Sequence, residues 1–344
     1  MRVIVHGGMH KTGTTSLQAA MAAAVDLEKM GIFYPRSGGP QHGALLNLKQ
    51  AAWSPELLRA ARRAAEHSRA HTLFLSAEGV STFSADQLRQ IRSALPEDDV
   101  TFLFCFRHWH AFWPSRWAQN CSRRDTQGFA AYLDMISQQG LPHTDLHYAA
   151  VLERALAVPD AKVVAVSFDR AVASPEGLLA SLLSAAGLAS GPTSAVMSKE
   201  RALNRRSPWQ IVEITRLLNG IVASIRHLPQ NALCGYVPDH RPVDQFFDLG
   251  ARLGRLEPAV SHVLVELMDR HAVTVMADQD GERIAEATEE LSHFSALFSN
   301  VPTGPIFLNA PRCEVRTTDL DWVEFYARHR GLADTALKQM QLLG

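Results

Sequence analysis

His6-Gly-Gly-Met-His-Lys-Thr-Gly-Thr-Thr-Ser-Leu-Gln18 is the stretch that decides the fold. A short, mostly β-branched run, Arg2-Val-Ile-Val-His6, leads into it and reads as a buried parallel strand. Thr14 to Val25, rich in Ala, Leu and Gln, leads out of it and reads as a helix. A glycine-rich turn between a strand and a helix is a place where an anion can be cradled. Backbone N–H groups point inward there, and the helix N-terminus adds the positive end of its dipole. Lys11 supplies a full charge, and Thr14, Thr15 and Ser16 supply hydroxyls. From Met1 to Val25 the chain holds Arg2 and Lys11 and no acid, so the local field suits an anion.

Three more apolar runs extend the pattern: Thr72 to Ser76, Val100 to Phe106 and Ala161 to Phe168. Helical segments follow two of them. Ser84 to Leu95 opens with Ser84 and Gln87 at capping-box spacing, and Pro175 to Ala186 places Pro175 in its first turn. Strands alternating with helices predict an α/β fold, a central parallel sheet covered on both faces. All four predicted strands lie before residue 170. From Ser207 onward the periodicity is helical, over Pro208 to Ile225, Val260 to Asp269, Gly281 to Leu297 and Leu320 to Leu343. Gly187 to Thr193 is the best boundary candidate. Residues 1–190 are therefore expected to form the anion-binding α/β core. Residues 191–344 are expected to form a helical region that packs on it and completes the pockets, the two making one structural unit.

The 344 residues carry 34 Lys+Arg against 35 Asp+Glu, a net charge of −1. Overall neutrality argues against a general nucleic-acid or membrane-surface binder, and leaves a local basic pocket open. Cys105, Cys121, Cys234 and Cys313 include no C-x-x-C pair and read as scattered thiols of a reduced, cytoplasmic protein. The Ala-rich stretch after residue 18 follows no apolar run of signal-peptide length. Gly177 to Ser198, uncharged but broken by Gly187, Gly191 and Pro192, reads as a helix end plus a loop rather than a membrane span.

The loop departs from the nucleotide-triphosphatase pattern G-x-x-x-x-G-K-[ST] at a decisive place. Gly8, Gly13 and Thr15 fit it, but the lysine position holds Thr14, and the lysine present, Lys11, precedes Gly13. With that displacement, Lys11-Thr-Gly-Thr-Thr-Ser16 resembles the 5′-phosphosulfate loop of sulfotransferases that use 3′-phosphoadenosine 5′-phosphosulfate (PAPS). The likeness is to the bacterial, carbohydrate-directed branch. It implies a P-loop-like three-layer core and sulfuryl transfer without a metal. It also implies that Lys11 contacts the bridging oxygen of the leaving phosphate, while Thr12, Gly13, Thr14, Thr15 and Ser16 hold the 5′-phosphate. His10 would pack the same loop.

A second anchor follows the third predicted strand, at Phe106-Arg107-His-Trp-His-Ala-Phe-Trp-Pro-Ser115. A guanidinium at the C-terminal end of such a strand faces the ligand crevice and can grip phosphate bidentately. In the resembled family an Arg here and a Ser eight residues later bind the 3′-phosphate, which implies that role for Arg107 and Ser115. Pro114 suits the first turn of the next helix, which would place Ser115 at its N-terminus. Ala111 stands where the family often has an acid. Weaker matches run from Leu146-His-Tyr148 to Phe168-Asp-Arg170, and over Asn204-Arg-Arg-Ser-Pro208, where Arg205 would close over the cofactor. The resemblance covers roughly residues 2 to 220.

Transfer to an alcohol needs a base for the acceptor proton, a contribution of about 10²- to 10⁴-fold. Glu78, just after the second predicted strand, stands where the resembled family places its base. His42, after Tyr34-Pro35, is the rival, since imidazole needs no shift to act near neutrality. His143 and His147 share a helical face but lack the glutamate of a zinc-peptidase motif, so no metal is expected. Trp109 and Trp113 read as core, with stacking on a base or sugar as the alternative. The expected acceptor is a hydroxyl of a carbohydrate or small glycosylated metabolite, with an amine as second choice. An Mg-ATP-dependent kinase, a non-catalytic binder of PAP (the desulfated donor) and an interaction protein built on the helical half are the competing readings. Oligomeric state has no signature in the chain.

Overall fold

The computed structural model describes residues 1–9, 11–36, 39–42, 46, 53–123, 125–139, 147–199, 207–226, 252–276, 281–308 and 314–342. In chain order the elements up to residue 156 are β1 (Arg2–His6), α1 (Thr14–Ala23), β2 (Ile32–Phe33), α2 (Pro55–His67), β3 (Thr72–Ser76), α3 (Ala85–Ala94), β4 (Asp99–Phe106), α4 (Trp109–Arg123), α5 (Phe129–Gln139) and α6 (Tyr148–Leu156). They continue with β5 (Ala161–Ser167), α7 (Phe168–Ala173), α8 (Gly177–Ala185), α9 (Ser190–Met197), α10 (Trp209–Ile225), α11 (Pro258–Arg270), β6 (Ala272–Met276), α12 (Gly281–Ser292), β7 (Glu314–Thr318) and α13 (Trp322–Gln339). The chain divides into two compact units. The first comprises Met1–Trp109, Gly140–Arg205 and Gly281–Ala310, and the second His110–Gln139, Arg206–Asp280 and Pro311–Gly344.

The first unit is built on a five-stranded parallel sheet in the order β2-β3-β1-β4-β5. Burial of both faces explains the near-continuous apolar run of β4. On one face Ile4, Phe74, Leu103, Cys105 and Val166 pack with Leu17 and Met21 of α1, Leu182 of α8 and Val196 of α9. The other face, with Val3, Val5, Leu73, Leu75, Phe102 and Phe104, is covered by α2, α3 and α6. The expected α/β class with helices on both faces therefore holds. From β1 the chain leaves toward β2 and β3, whereas from β4 it leaves toward β5. The order therefore reverses between β1 and β4, and in open α/β sheets ligands bind outside the C-terminal strand ends at such a reversal. The free edge of β5 is blunted by residues from far along the chain. Phe298 bridges Ala165 in parallel, and Asn300 pairs its side-chain amide with the N–H and C=O of Ser167 at 2.9 and 2.8 Å.

The second unit is mainly helical. Leu217, Leu218 and Ile221 of α10 pack with Leu264 and Met268 of α11 and Phe325, Ala336 and Leu337 of α13. The placement of every strand before residue 170 is overturned here. Ala272–Met276 and Glu314–Thr318 pair antiparallel, with Ala272 opposite Thr318. Their side chains alternate too weakly in hydrophobicity to stand out in the sequence. Within α10, Arg216 donates to Glu213 Oε2 and to the Leu320 carbonyl, both at 2.7 Å, and both side chains are buried. Thr317 donates to the other oxygen of Glu213.

Candidate functional site: the loop after β1 and the end of β4

The loop leaves β1 without leaving the sheet. Gly7 N–H donates to the Leu103 carbonyl at 2.9 Å and Met9 N–H to the Cys105 carbonyl at 3.3 Å, so the chain runs on alongside β4. The Thr12 hydroxyl donates back to the Met9 carbonyl at 2.6 Å and closes the turn. Lys11 adopts a left-handed backbone, φ +63°, which costs a non-glycine residue roughly 1–2 kcal/mol. Gly13 follows at φ +79° as the N-cap of α1, a conformation that favours glycine. A Cβ on Gly13 would also lie 2.4 Å from Leu178 Cδ2. Gly8 is required for a different reason. A Cβ there would lie 2.3 Å from Thr14 Oγ1 and 3.0 Å from His6 Nε2, so both side chains close directly on its backbone.

Among the described residues no side chain caps α1, and no acid occupies its first turn. Its first N–H groups have no carbonyl within the helix to bond, and they open onto the loop with a positive dipole end. Lys11 and Ser16 are half-buried, Thr15 is exposed and Thr14 is buried. Among the described residues Thr14 Oγ1 and His6 Nε2 have no hydrogen-bond partner. Buried polar atoms are paired as a rule, so these two are notable beneath an anion-friendly loop.

Arg107 lies at the end of β4, and its Nη1 donates to the Lys11 carbonyl at 3.3 Å. The two positions inferred as anchors from separate stretches of sequence are therefore tied by a hydrogen bond. The guanidinium lies 4.9 Å over the Phe168 ring, a cation–π contact. Tyr148 donates to the Arg107 carbonyl at 2.8 Å, and Asp169 Oδ2 accepts the His108 N–H at 2.8 Å. Burial pushes the Asp169 carboxyl up, against the His108 N–H and the Arg107 charge, which favour its ionised form. Phe168 and Asp169 belong to one of the weaker sequence matches, which gives them no role. Their contact with the end of β4 depends on β5 lying next to β4, which sequence does not state.

Ser115 belongs to the second unit. The expectation that Pro114 opens its helix is corrected: α4 begins at Trp109 and Pro114 lies inside it. Pro114 removes one intrahelical N–H donor there, and Ser115 sits in the second turn rather than at the helix N-terminus. Pro175 likewise precedes its helix, which starts at Gly177 after an N-cap at Glu176. Trp109 is fully buried, stacked on Tyr148 with centroids 4.7 Å apart, and is core as expected. His10 and Arg205 lie outside the described residues, as do Cys234, Cys313 and His143.

Glu78 opens a 3₁₀ turn, Glu78–Thr82, directly after β3. It is half-buried. The Ala77 N–H donates to the His6 carbonyl at 3.0 Å, which holds the exit of β3 beside the start of the loop. His42 is buried, and both ring nitrogens are engaged. Nδ1 accepts the Ser76 N–H at 2.9 Å, so Nε2 carries the proton and donates it to the Pro35 carbonyl at 2.7 Å. Burial lowers its pKa, against the Pro35 hydrogen bond.

Beneath the loop lies a buried polar cluster that sequence did not single out. Gln18 Nε2 donates to Ser76 Oγ at 3.1 Å, and His6 Nδ1 lies 2.9 Å from the same oxygen. His6 is fully buried, and its pKa is pulled down to about 4 by loss of solvent, which outweighs the negative charge of Glu78. A histidine ending a strand gave the only signal.

No protein-family model matches the chain, and no curated protein does. Among solved structures, a sulfotransferase from Alicyclobacillus acidocaldarius is similar at 15% identity over 68% of this chain and 96% of that one, with a TM-score of 0.38. At that distance the activity stays with the bacterial protein. Among the described residues no helix is long and apolar enough to cross a membrane, and no three His, Cys, Asp or Glu side chains gather as metal ligands.

Proposed function

We propose that the protein is a PAPS-dependent sulfotransferase acting on a hydroxyl of a carbohydrate or small glycosylated metabolite. The observation that carries the reading is the hydrogen bond from Arg107 to the Lys11 carbonyl at the switch point of the sheet. It joins a loop suited to one phosphate to a guanidinium suited to another, which supports a donor carrying 5′- and 3′-phosphates. The buried Thr14 hydroxyl, unpartnered among the described residues, and the uncapped start of α1 fit an anion at the loop.

Sulfuryl transfer is an in-line displacement. The acceptor oxygen forms a bond to sulfur as the bond from sulfur to the phosphate oxygen breaks, and that electron pair leaves with the phosphate. Lys11 stabilises the charge arriving there, in the role that preorganised donors and cations play at transferring phosphoryl groups. Glu78 takes the acceptor proton. It is the better base of the two candidates, because His42 spends Nδ1 on Ser76 and Nε2 on Pro35. His42 acts instead as a strut for the end of β3. Lys11, Arg107 and the amides of α1 provide the charge stabilisation, so the reaction needs no metal.

The test is thermal unfolding with PAP, AMP and Mg-ATP titrated separately. A ligand at about 100 times its Kd raises stability by about 2.7 kcal/mol. A shift with PAP and little with AMP is expected, whereas a shift with Mg-ATP alone supports the kinase reading and overturns this one. Lys11→Ala is expected to lower turnover far more than PAP affinity, and Arg107→Ala to erase the preference for PAP over AMP. Equal effects of the two substitutions on binding and turnover would refute the assignment.

A further inference from the structure

The proton order in the cluster beneath the loop follows from its donors. Gln18 Nε2 can only donate, and it donates to Ser76 Oγ. With that lone pair taken, the Ser76 hydroxyl hydrogen is best placed on the other neighbour, His6 Nδ1, 2.9 Å away. The reverse assignment would leave the Ser76 hydroxyl proton without an acceptor among the described residues. His6 Nδ1 is then an acceptor, and the ring proton sits on Nε2. That nitrogen is the buried one with no partner among the described residues, and it closes on Gly8 beside Thr14 Oγ1.

We propose that His6 is a binding residue of the loop, a neutral Nε2–H donor for one oxygen of a tetrahedral oxyanion seated over Gly8 and Thr14. This rests on the reading of the loop as an oxyanion site. Such a donor is useful because it is uncharged. A buried imidazolium would need a partner in a low-dielectric floor, whereas a neutral N–H needs only an acceptor. The low pKa of His6 keeps it in that form throughout the neutral range. Ser76 and Gln18 fix the tautomer, so the donor is in place before the anion arrives and no ring flip accompanies binding.

Two measurements test this. The first is a long-range 1H–15N spectrum of the histidine-labelled protein, recorded with inorganic phosphate, inorganic sulfate and PAP in turn. His6 is assigned by its loss in His6→Gln. It is expected as the Nε2–H tautomer, with that resonance moving when any of these anions binds. The second is PAP affinity in three variants. Gln places an amide N–H near the Nε2 position, Asn near Nδ1, and Leu offers no donor. His6→Gln is expected to stay within about threefold of wild type, while His6→Asn and His6→Leu lose about tenfold or more, the scale of a hydrogen bond to a charged group. An Nδ1–H tautomer, a resonance unmoved by every anion, or equal affinity in all three variants would each overturn the proposal. If PAP fails to bind but phosphate moves the His6 resonance, the PAPS reading falls and the His6 site stands.

Discussion

The burial of His6 makes stability depend on pH in a calculable way. Its folded pKa of about 4 lies below the unfolded value of 6.5. The unfolded chain therefore binds the proton more tightly. The contribution of neutral burial is fully present above about pH 6.5 and is lost as pH falls toward about 4. A tenfold difference in proton affinity between the two states is worth about 1.4 kcal/mol. The whole effect is then roughly 3 kcal/mol, of which about 2 kcal/mol is gone by about pH 5. The informative substitution is His6→Gln, which cannot titrate and keeps an N–H donor. Urea unfolding of both proteins between about pH 7.5 and 5 isolates the contribution of His6, since most carboxylates titrate lower. His42 and His147 are also lowered by burial and contribute the same sign to both proteins, so they cancel in the comparison. Wild type should lose about 2 kcal/mol more than His6→Gln across this window. Parallel pH profiles would refute the account of His6 as a neutral buried group, and with it the electrostatics assigned to the loop floor.

Gly13→Ala forces a left-handed residue to carry a Cβ and displaces Leu178. PAP affinity should fall about tenfold or more by calorimetry, and unchanged affinity would show that the loop tolerates a different start to α1. Ser84→Ala removes the side-chain half of the capping box at α3. It should cost about 1 kcal/mol in chemical denaturation and leave PAP binding untouched. Glu213→Ala strands the buried Arg216 guanidinium and should cost about 3–5 kcal/mol. A loss under about 1 kcal/mol would mean that water reaches the pair.

What was legible in the sequence and what was not divides along the range of the interactions. Arg2–His6 and Thr72–Ser76 are strands with the bounds that their β-branched and apolar runs predict, because local composition and burial on both faces agree there. Ser84 caps α3 as its spacing with Gln87 predicts, since a capping box is written within four residues. Lys11 and Arg107 could be paired only by resemblance, and their hydrogen bond spans β1 and β4, neighbours in the sheet but 96 positions apart in the chain. His42 illustrates the converse. Its residue type suggests a base, but the Ser76 N–H and Pro35 carbonyl that occupy its ring are tertiary neighbours. β2, two residues long, has no period to detect, and the β6–β7 pair is marked by its partner rather than by its own pattern.

The pairing of Asn300 with Ser167 has a consequence for the order in which the protein comes into being. The residues that seal the β5 edge are translated 133 positions after the strand they cover. At about 5–20 residues per second, that leaves β5 unsealed for on the order of ten seconds while the intervening helices emerge. During that interval the nascent chain presents a parallel strand with an unsatisfied backbone, the kind of surface that recruits chaperones or sticks to its neighbours. A stop codon placed after α9 would make that temporary hazard permanent. Shortened chains ending there should accumulate as aggregates even though they retain every strand of the parallel sheet.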